Sequence, residues 1–292
     1  MDFRKRLLKK SEVVEEQNLY SYVEFNEYYN SVITQRELYE NYLAKKCWLS
    51  KKQHLYLKGK CKVCGKTTRF KLDFMYSDGK TPNFRERLSC SICSLNNRQR
   101  YIVSYLQEEY KNNKKIYMYE QVTAVYNAVK IFAQDNLIGS EFINRNLKSG
   151  SVYDGILHEN AEYLSFGDEK FDIIVSNDVF EHVNDVQKCF NEAHRVLKTN
   201  GKLIMSVPFY PDKDKTIRRA EIINNEIVYY TDAIYHGNPM SEDGSLVFFD
   251  FGWDILHMIK MAGFKEAYVK AYYSKEYGYL GRIPLVFEAI KS

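Results

Sequence analysis

Four of the six cysteines stand in two equally spaced pairs, Cys61-x2-Cys64 and Cys90-x2-Cys93. Each pair can put two thiolates on one ion, and two pairs complete the tetrahedral four-thiolate set of a zinc site, with Zn–S bonds of ~2.3 Å. Protein sulfur would fill every position and leave none for water, so the zinc implied by this spacing is structural rather than catalytic. Gly65, directly after Cys64, suits the turn of a zinc knuckle, where a residue without Cβ is favoured. Cysteines used in CxxC pairs read as metal ligands in a reducing compartment rather than as disulfides, and the expected location is the cytoplasm. Cys47 and Cys189 read as packing residues.

A second constellation follows it. Glu120, Glu141, Asn160 and Asp178 come at the ends of successive apolar runs. In an open α/β sheet the ligand lies beyond the C-terminal strand ends, at the point where strand order reverses. Glu141 lies 21 residues after Glu120, and a carboxylate ~20 residues beyond the first strand's turn is placed to accept ribose hydroxyls. Two histidines, His182 and His236, offer a proton acceptor that titrates near neutral pH, with Asp178 as the alternative.

The elements that must position these residues alternate. Short β-like runs at Ile116–Tyr119, Leu137–Gly139, Phe171–Ser176 and Gly201–Val207 are separated by helical patterns at Val122–Ala133 and Val186–Leu197. Strands alternating with helices predict βαβ units and a mostly parallel sheet. A helix over Trp253–Ala262, stopped by Gly263, precedes two runs near Ala267–Tyr273 and Pro284–Ile290, which read as an antiparallel C-terminal hairpin. The divisions expected are a helical segment over 1–58, a four-cysteine zinc module with a connecting helix over 59–110, and an α/β domain over 111–292. The last carries an insertion at 210–251.

Phe171-Asp-Ile-Ile-Val-Ser-Asn-Asp-Val-Phe-Glu-His-Val, followed by Arg195-Val-Leu-Lys-Thr-Asn-Gly-Lys-Leu-Ile-Met-Ser-Val-Pro, resembles the fourth and fifth strands of class I S-adenosylmethionine (SAM)-dependent methyltransferases of the type 11 kind. Glu159-Asn-Ala-Glu-Tyr-Leu-Ser-Phe resembles the segment that covers the adenine there, and the resemblance spans Lys114 to Ser292. It implies a Rossmann-like class I methyltransferase fold with SAM as cofactor. It places Glu141 on the ribose, Asn160 and Ala161 near the adenine, and Asn177-Asp178 near the sulfonium. Glu120, Gln121 and Phe142 complete the expected cofactor residues. One departure stands out: the family's acidic-x-Gly-x-Gly first turn is replaced by Glu120-Gln-Val-Thr-Ala, which has no glycine. Three readings stay open: a shifted SAM pose, weak binding, or a fold that has lost the cofactor.

The insertion holds Arg218, Arg219, a Tyr229-Tyr230 pair and Tyr235-His-Gly-Asn-Pro. In this fold that stretch usually builds the acceptor pocket, so Arg218, Arg219 and Tyr235, with Arg98 from the segment after the cysteines, are the expected substrate contacts. The pairing of His236-Gly-Asn-Pro with Phe251-Gly-Trp-Asp resembles methyltransferases of bacterial surface-glycan clusters. O- or N-methylation of a sugar or another small metabolite, an anionic one included, is the activity these resemblances imply.

Net charge is only +4, but residues 45–72 hold ten Lys/Arg and no acid, and residues 1–10 hold five more. Such fields favour anionic partners. A zinc ribbon ahead of a methyltransferase domain also resembles some ribosomal RNA methyltransferases, so an RNA acceptor is the first alternative. Against it, Asn177-Asp-Val-Phe stands where an Asn/Asp-Pro-Pro-Tyr tetrad for base methylation would be. A non-catalytic binding protein on this fold is the second alternative. No apolar run approaches the ~18–20 residues of a membrane span, and the N-terminus does not read as a secretory signal.

Overall fold

The computed structural model describes residues 11–292. The basic run of residues 1–10, and with it the start of the expected helical arm, lies outside them. The described residues fall into two units, 11–19 with Val23–Glu109 and Lys270–Leu285, and Tyr20–Tyr22 with Tyr110–Val269 and Val286–Ser292. These units cut the chain differently from the divisions expected at 58 and 110, because side chains from the helical arm, the cysteine module and a C-terminal segment bury one another.

In the first unit, strand β1 (Glu15–Leu19) and the long helix α1 (Tyr22–Leu49) occupy much of what reads in the sequence as helix throughout. The stripe Arg36, Tyr39, Glu40, Leu43, Ala44 and Cys47 is buried, at the three- and four-residue steps of one helix face. Strands β2 (His54–Cys61) and β3 (Lys66–Asp73) form an antiparallel hairpin whose turn carries Cys64 and Gly65, and β4 (Ser89–Cys90) pairs with β3 through Phe70↔Cys90. Tyr39 and Leu43 of α1 share a core with Phe70, Leu72, Phe84, Leu88, Cys61 and Cys90. The cysteine module alone is poor in aliphatic residues, so the helix supplies the apolar area it lacks.

Helix α2 (Asn97–Glu109) ends this run. Its Arg100 is fully buried, and its guanidinium donates to the carbonyls of Tyr277 at 2.5 Å, Gly278 at 2.9 Å and Leu88 at 3.2 Å. Tyr101 stacks on Tyr272 at 3.7 Å. Tyrosines such as Tyr101, Tyr272 and Tyr279 are spent here on packing; the Tyr279 hydroxyl meets Ser104 Oγ at 2.9 Å, whereas that of Tyr272 is buried without a hydrogen-bond partner among the described residues.

The second unit is built on a parallel core. Strands β5 (Ile116–Met118), β6 (Leu137–Gly139), β9 (Phe171–Asn177) and β10 (Leu197–Ser206) pair in parallel, β5 with β6 and β9, and β9 with β10. Between β6 and β9 lies a short hairpin, β7 (Val152–Tyr153) and β8 (Ile156–Leu157). Helices α3 (Ala124–Ala133) and α4 (Val186–Val196) are the crossovers. The insertion contributes three small antiparallel pairs: β11 (Ile217–Arg218) with β16 (Phe249–Asp250), β12 (Ala220–Ile223) with β13 (Glu226–Tyr229), and β14 (Tyr235–Asn238) with β15 (Ser241–Leu246). Helix α5 (Ile255–Met261), shorter than the expected Trp253–Ala262, leads to β17 (Phe264–Tyr273) and β18 (Leu285–Lys291). The strand order in this unit is β17-β18-β10-β9-β5-β6, with β18 antiparallel to β10. Strand order reverses between β5 and β9, so the crevice beyond those two C-terminal ends is where a ligand belongs. This is the Rossmann-like methyltransferase architecture that the sequence predicts, antiparallel C-terminal strands included.

Candidate functional site

Glu120 follows β5 and Asn177 closes β9, so the sheet brings these two side chains together. Asn177 Nδ2 donates to Glu120 Oε1 at 2.5 Å, and Thr123 Oγ1 donates to Glu120 Oε2. Thr123 also caps α3, its hydroxyl accepting from the Tyr126 amide at 3.1 Å. Glu141, just past β6, accepts from the Gln121 and Val122 amides with one oxygen, at 2.6 and 3.0 Å. Burial pushes the Glu141 carboxyl above the usual range, and those two amides pull it part of the way back. The Gln121 side chain clamps the β7–β8 hairpin: its Nε2 donates to Gly155 O at 3.1 Å, and its Oε1 accepts from the Leu157 amide at 3.0 Å.

This arrangement bears on the missing glycines. None of residues 120–124 has a positive φ, so this turn does not need glycine for its backbone conformation. The glycine that the turn does require is Gly139, at the end of β6. A Cβ there would meet the Tyr126 ring and lie 2.5 Å from Glu120 O.

The residues expected on the adenine side sit beside Glu141. The Glu141 amide donates to Leu157 O at 2.9 Å, and the Glu159 amide donates back to Glu141 O at 3.1 Å. Phe142 is half exposed, with its ring 5.4 Å from that of His158. Asn160 holds its own loop, its Oδ1 accepting from the Glu162 amide at 2.9 Å, and Ala161 is buried. Glu159, which the sequence offers only as part of a resemblance, is a loop anchor that accepts from the Ser165 amide at 2.9 Å.

The proton-acceptor candidates also meet. His182 lies in the short 3-10 turn after β9, and His236 comes from β14, yet their rings are perpendicular with centroids 5.1 Å apart. Between them is Glu181, a residue that sequence reasoning passed over. It is fully buried, and neither carboxylate oxygen has a hydrogen-bond partner among the described residues. His182 Nε2 and His236 Nδ1 each stand 3.6 Å from Glu181 Oε1. The neighbouring Glu181 carboxylate raises the pKa of His236, while burial raises that of Glu181. Asp178 has a left-handed backbone, φ 52°, and its Oδ1 accepts from Ser206 Oγ at 3.1 Å. The signal in the sequence was the Glu-His dipeptide itself, an acid directly after a buried apolar residue.

The expected substrate contacts are mostly engaged within the fold. Arg218 donates to Asn184 O at 2.9 Å and pairs with Glu221 at 3.0 Å. Arg219 pairs with Asp250 at 2.7 Å and donates to Asp232 O at 2.7 Å. Arg98, in the first unit, is buried against Glu86 at 3.0 Å. Tyr235 is exposed, its hydroxyl 3.5 Å from that of Tyr229.

In the first unit all four sulfurs of Cys61, Cys64, Cys90 and Cys93 lie within 4.8 Å of one another, with Cys61–Cys93 and Cys64–Cys90 at 3.9 Å. Ligand sulfurs on a tetrahedral zinc at ~2.3 Å are about 3.8 Å apart. Both knuckles have the same form. The Gly65 amide donates to Cys61 O and the Ser94 amide to Cys90 O, each at 2.9 Å, with φ 65° and 62°. Cys64 and Ile92 amides point at Cys61 and Cys90 sulfurs, at 3.5 and 3.4 Å, as they would toward thiolates. The donor set fits a thiolate-bound ion. Cys47 and Cys189 are buried thiols.

Residues 119–205 match the family described as a methyltransferase domain, Methyltransf_11. The match begins beside Glu120 and ends near the close of β10, so it spans the ligand crevice. Among solved structures, a SAM-dependent methyltransferase from Mesorhizobium loti is similar at 13% identity and a TM-score of 0.40, covering 64% of this chain and 96% of that one. A putative SAM-dependent methyltransferase from Listeria monocytogenes is similar at 11% identity and 0.37, over 64% and 96%. The 1,6-didemethyltoxoflavin-N1-methyltransferase of Burkholderia thailandensis, solved with S-adenosylhomocysteine, is similar at 10% identity and 0.38, over 66% and 78%. A comparison with curated proteins finds no significant match. Residues 119–205 of the second unit are therefore a methyltransferase domain, the mark of an enzyme.

Proposed function

We propose that this domain moves the methyl group of SAM to an oxygen or nitrogen of a sugar or another small metabolite. The observation that carries the cofactor reading is Asn177. Its Oδ1 is buried without a partner among the described residues, while its Nδ2 is tied to Glu120 at the mouth of the β5–β9 crevice. An orphaned acceptor at a ligand site awaits a donor, and the amino group of SAM is one. Glu141 keeps one oxygen on the first-turn amides and has the other for a ribose hydroxyl. Phe142, Asn160 and Ala161 flank the adenine in this reading, and Glu120, Gln121 and Asn177 face the methionine part.

SAM supplies an electrophilic methyl carbon on sulfur. The acceptor's lone pair forms the new bond as the C–S bond breaks, and S-adenosylhomocysteine leaves. The chain's work is to align the acceptor, exclude water and take the proton of a hydroxyl acceptor. His182, His236 and Asp178 are the groups placed for that proton. His182 Nδ1 donates to Leu246 O at 2.8 Å, which leaves its Nε2 as the proton-accepting nitrogen. Tyr235, with Arg218 and Arg219 behind it, lies on the acceptor side. In the first unit we propose one structural zinc on Cys61, Cys64, Cys90 and Cys93.

Calorimetric titration with S-adenosylhomocysteine tests the reading. Micromolar binding that falls in Asn177→Ala supports it. A folded protein that takes up neither SAM nor its product would leave the fold without the activity.

A further inference from the structure

We propose that Glu181, His182 and His236 form a second metal site, for a divalent first-row transition ion bound by two imidazole nitrogens and one carboxylate. Three observations converge on it. The ligand atoms of the three residues all lie within 4.8 Å of one another, with both histidine nitrogens 3.6 Å from Glu181 Oε1. That spacing is too long for hydrogen bonds. It is close to the ~3.4 Å between ligands that sit ~2.1 Å from a tetrahedral ion. Next, Glu181 is 0% exposed and neither of its oxygens has a hydrogen-bond partner among the described residues. A buried carboxylate left so is costly unless a cation meets it. Last, His182 Nδ1 is held by Leu246 O at 2.8 Å. This backbone bond fixes the tautomer and turns the Nε2 lone pair toward the carboxylate, the outer arrangement usual for a metal-bound histidine. Two lone-pair donors thus face each other across a gap that only a cation or a proton can bridge.

Two imidazoles and a carboxylate suit zinc, iron, cobalt, nickel or manganese better than calcium. Three protein ligands leave coordination positions open, unlike the four-thiolate set. The site follows Asn177 and Asp178 at the end of β9. If methyl transfer is the activity, oxygens of a hydroxylated acceptor would take those open positions, the ion would ease loss of the hydroxyl proton, and with both imidazoles on the ion Asp178 would be the group left to take it. That part rests on the methyl-transfer reading, whereas ion binding does not.

The test therefore uses ion binding without SAM. The full zinc-loaded chain is titrated with Mn2+, followed by loss of the free-ion electron paramagnetic resonance signal, and in parallel with Co2+, followed by its visible spectrum. Mn2+ has little affinity for a thiolate site, so it reports on the nitrogen–oxygen set alone. One ion bound per chain, weakened at least tenfold in both Glu181→Gln and His236→Ala, is the result expected. No uptake of either ion by the wild type, or unchanged uptake in either folded variant, would overturn the proposal. His236 is partly exposed on its side chain, so His236→Ala carries the test if Glu181→Gln does not fold.

Discussion

The two ligand clusters are made in opposite ways. Cys61, Cys64, Cys90 and Cys93 come from two local knuckles on one small sheet, each closed by its own backbone hydrogen bond. Glu181, His182 and His236 come from a turn after β9 and from a strand of the distant insertion, and they meet only because the surrounding sheet already exists. The first cluster sits among the core residues of its unit, so an ion there would be part of folding. The second hangs on a scaffold that the parallel strands complete without it, so an ion there would matter for chemistry and little for the fold. Metal sites of the two kinds should therefore fail differently.

The largest effect should come from breaking the first. Structural zinc in small modules contributes on the order of 10 kcal/mol of apparent binding free energy at neutral pH. Cys90→Ser should lose the one zinc per chain expected from metal analysis, and protease should then open the segment from His54 to Glu109. Binding of S-adenosylhomocysteine by the second unit should survive within a few-fold. A metal-free wild type whose N-terminal half stays protease-resistant would erase the contrast between the clusters.

The same contrast explains what could be read in the sequence. The knuckles are short-range, and spacing alone exposes them. The parallel strands are runs such as Phe171-Asp-Ile-Ile-Val-Ser, apolar because both faces are buried, and they too are plain from the sequence. Glu181 was not legible, because its role depends on His236, whose place is set by the β14–β15 pair. That pair consists of short strands of polar composition, with little periodicity to detect. The N-terminal segment reads as helix throughout because Tyr and charged residues alternate irregularly. Its strands become visible only through the partners they pair with. Arg98 stands out as a charge and suggests a ligand contact, yet it is paired with Glu86, as its neighbour Arg100 is with three carbonyls.

A second stress on the first unit needs no metal chemistry. Burial pushes the Glu40 carboxyl from 4.5 up to about 7, against the opposing pull of the Gly281 and Arg282 amides and of Arg36. A carboxyl raised in the folded state stabilises most below its unfolded value and loses that contribution as pH rises through the folded one. The shift corresponds to about 3 kcal/mol, lost between pH ~4.5 and a little above 7. Thermal melts of the wild type should decline across that window. Glu40→Gln keeps an oxygen for the Gly281 amide, which Glu40 accepts at 2.8 Å, and should flatten the decline. Parallel pH profiles for the two proteins would remove Glu40 from the account.

In the second unit the expected change is in affinity rather than in folding. Glu141→Ala removes the acceptor of the Gln121 and Val122 amides and the proposed ribose contact. A lost charged hydrogen bond is worth about 1–3 kcal/mol, so S-adenosylhomocysteine should bind ~5- to 150-fold more weakly. Melting should change far less than in Cys90→Ser. Equal affinity in a folded Glu141→Ala protein would place the ribose elsewhere.

The smallest effect is expected at Val122, and it decides what the missing glycines mean. Val122 stands at the first glycine position of the usual turn and is 40% exposed. Its φ is not positive, and its amide is held by Glu141, so glycine would relieve no backbone strain. Any benefit of Val122→Gly can then come only from space. Removing the side chain should lower stability by about 0.5–1 kcal/mol, the conformational cost of a freer unfolded chain. Affinity for S-adenosylhomocysteine should stay within about threefold if the cofactor already runs past the valine, because threefold corresponds to less than about 1 kcal/mol. A gain beyond tenfold would show that the side chain occupies cofactor space and that the wild type binds SAM in a displaced pose. Titration of the variant beside the wild type separates these outcomes, and a melt of the same samples gives the stability cost.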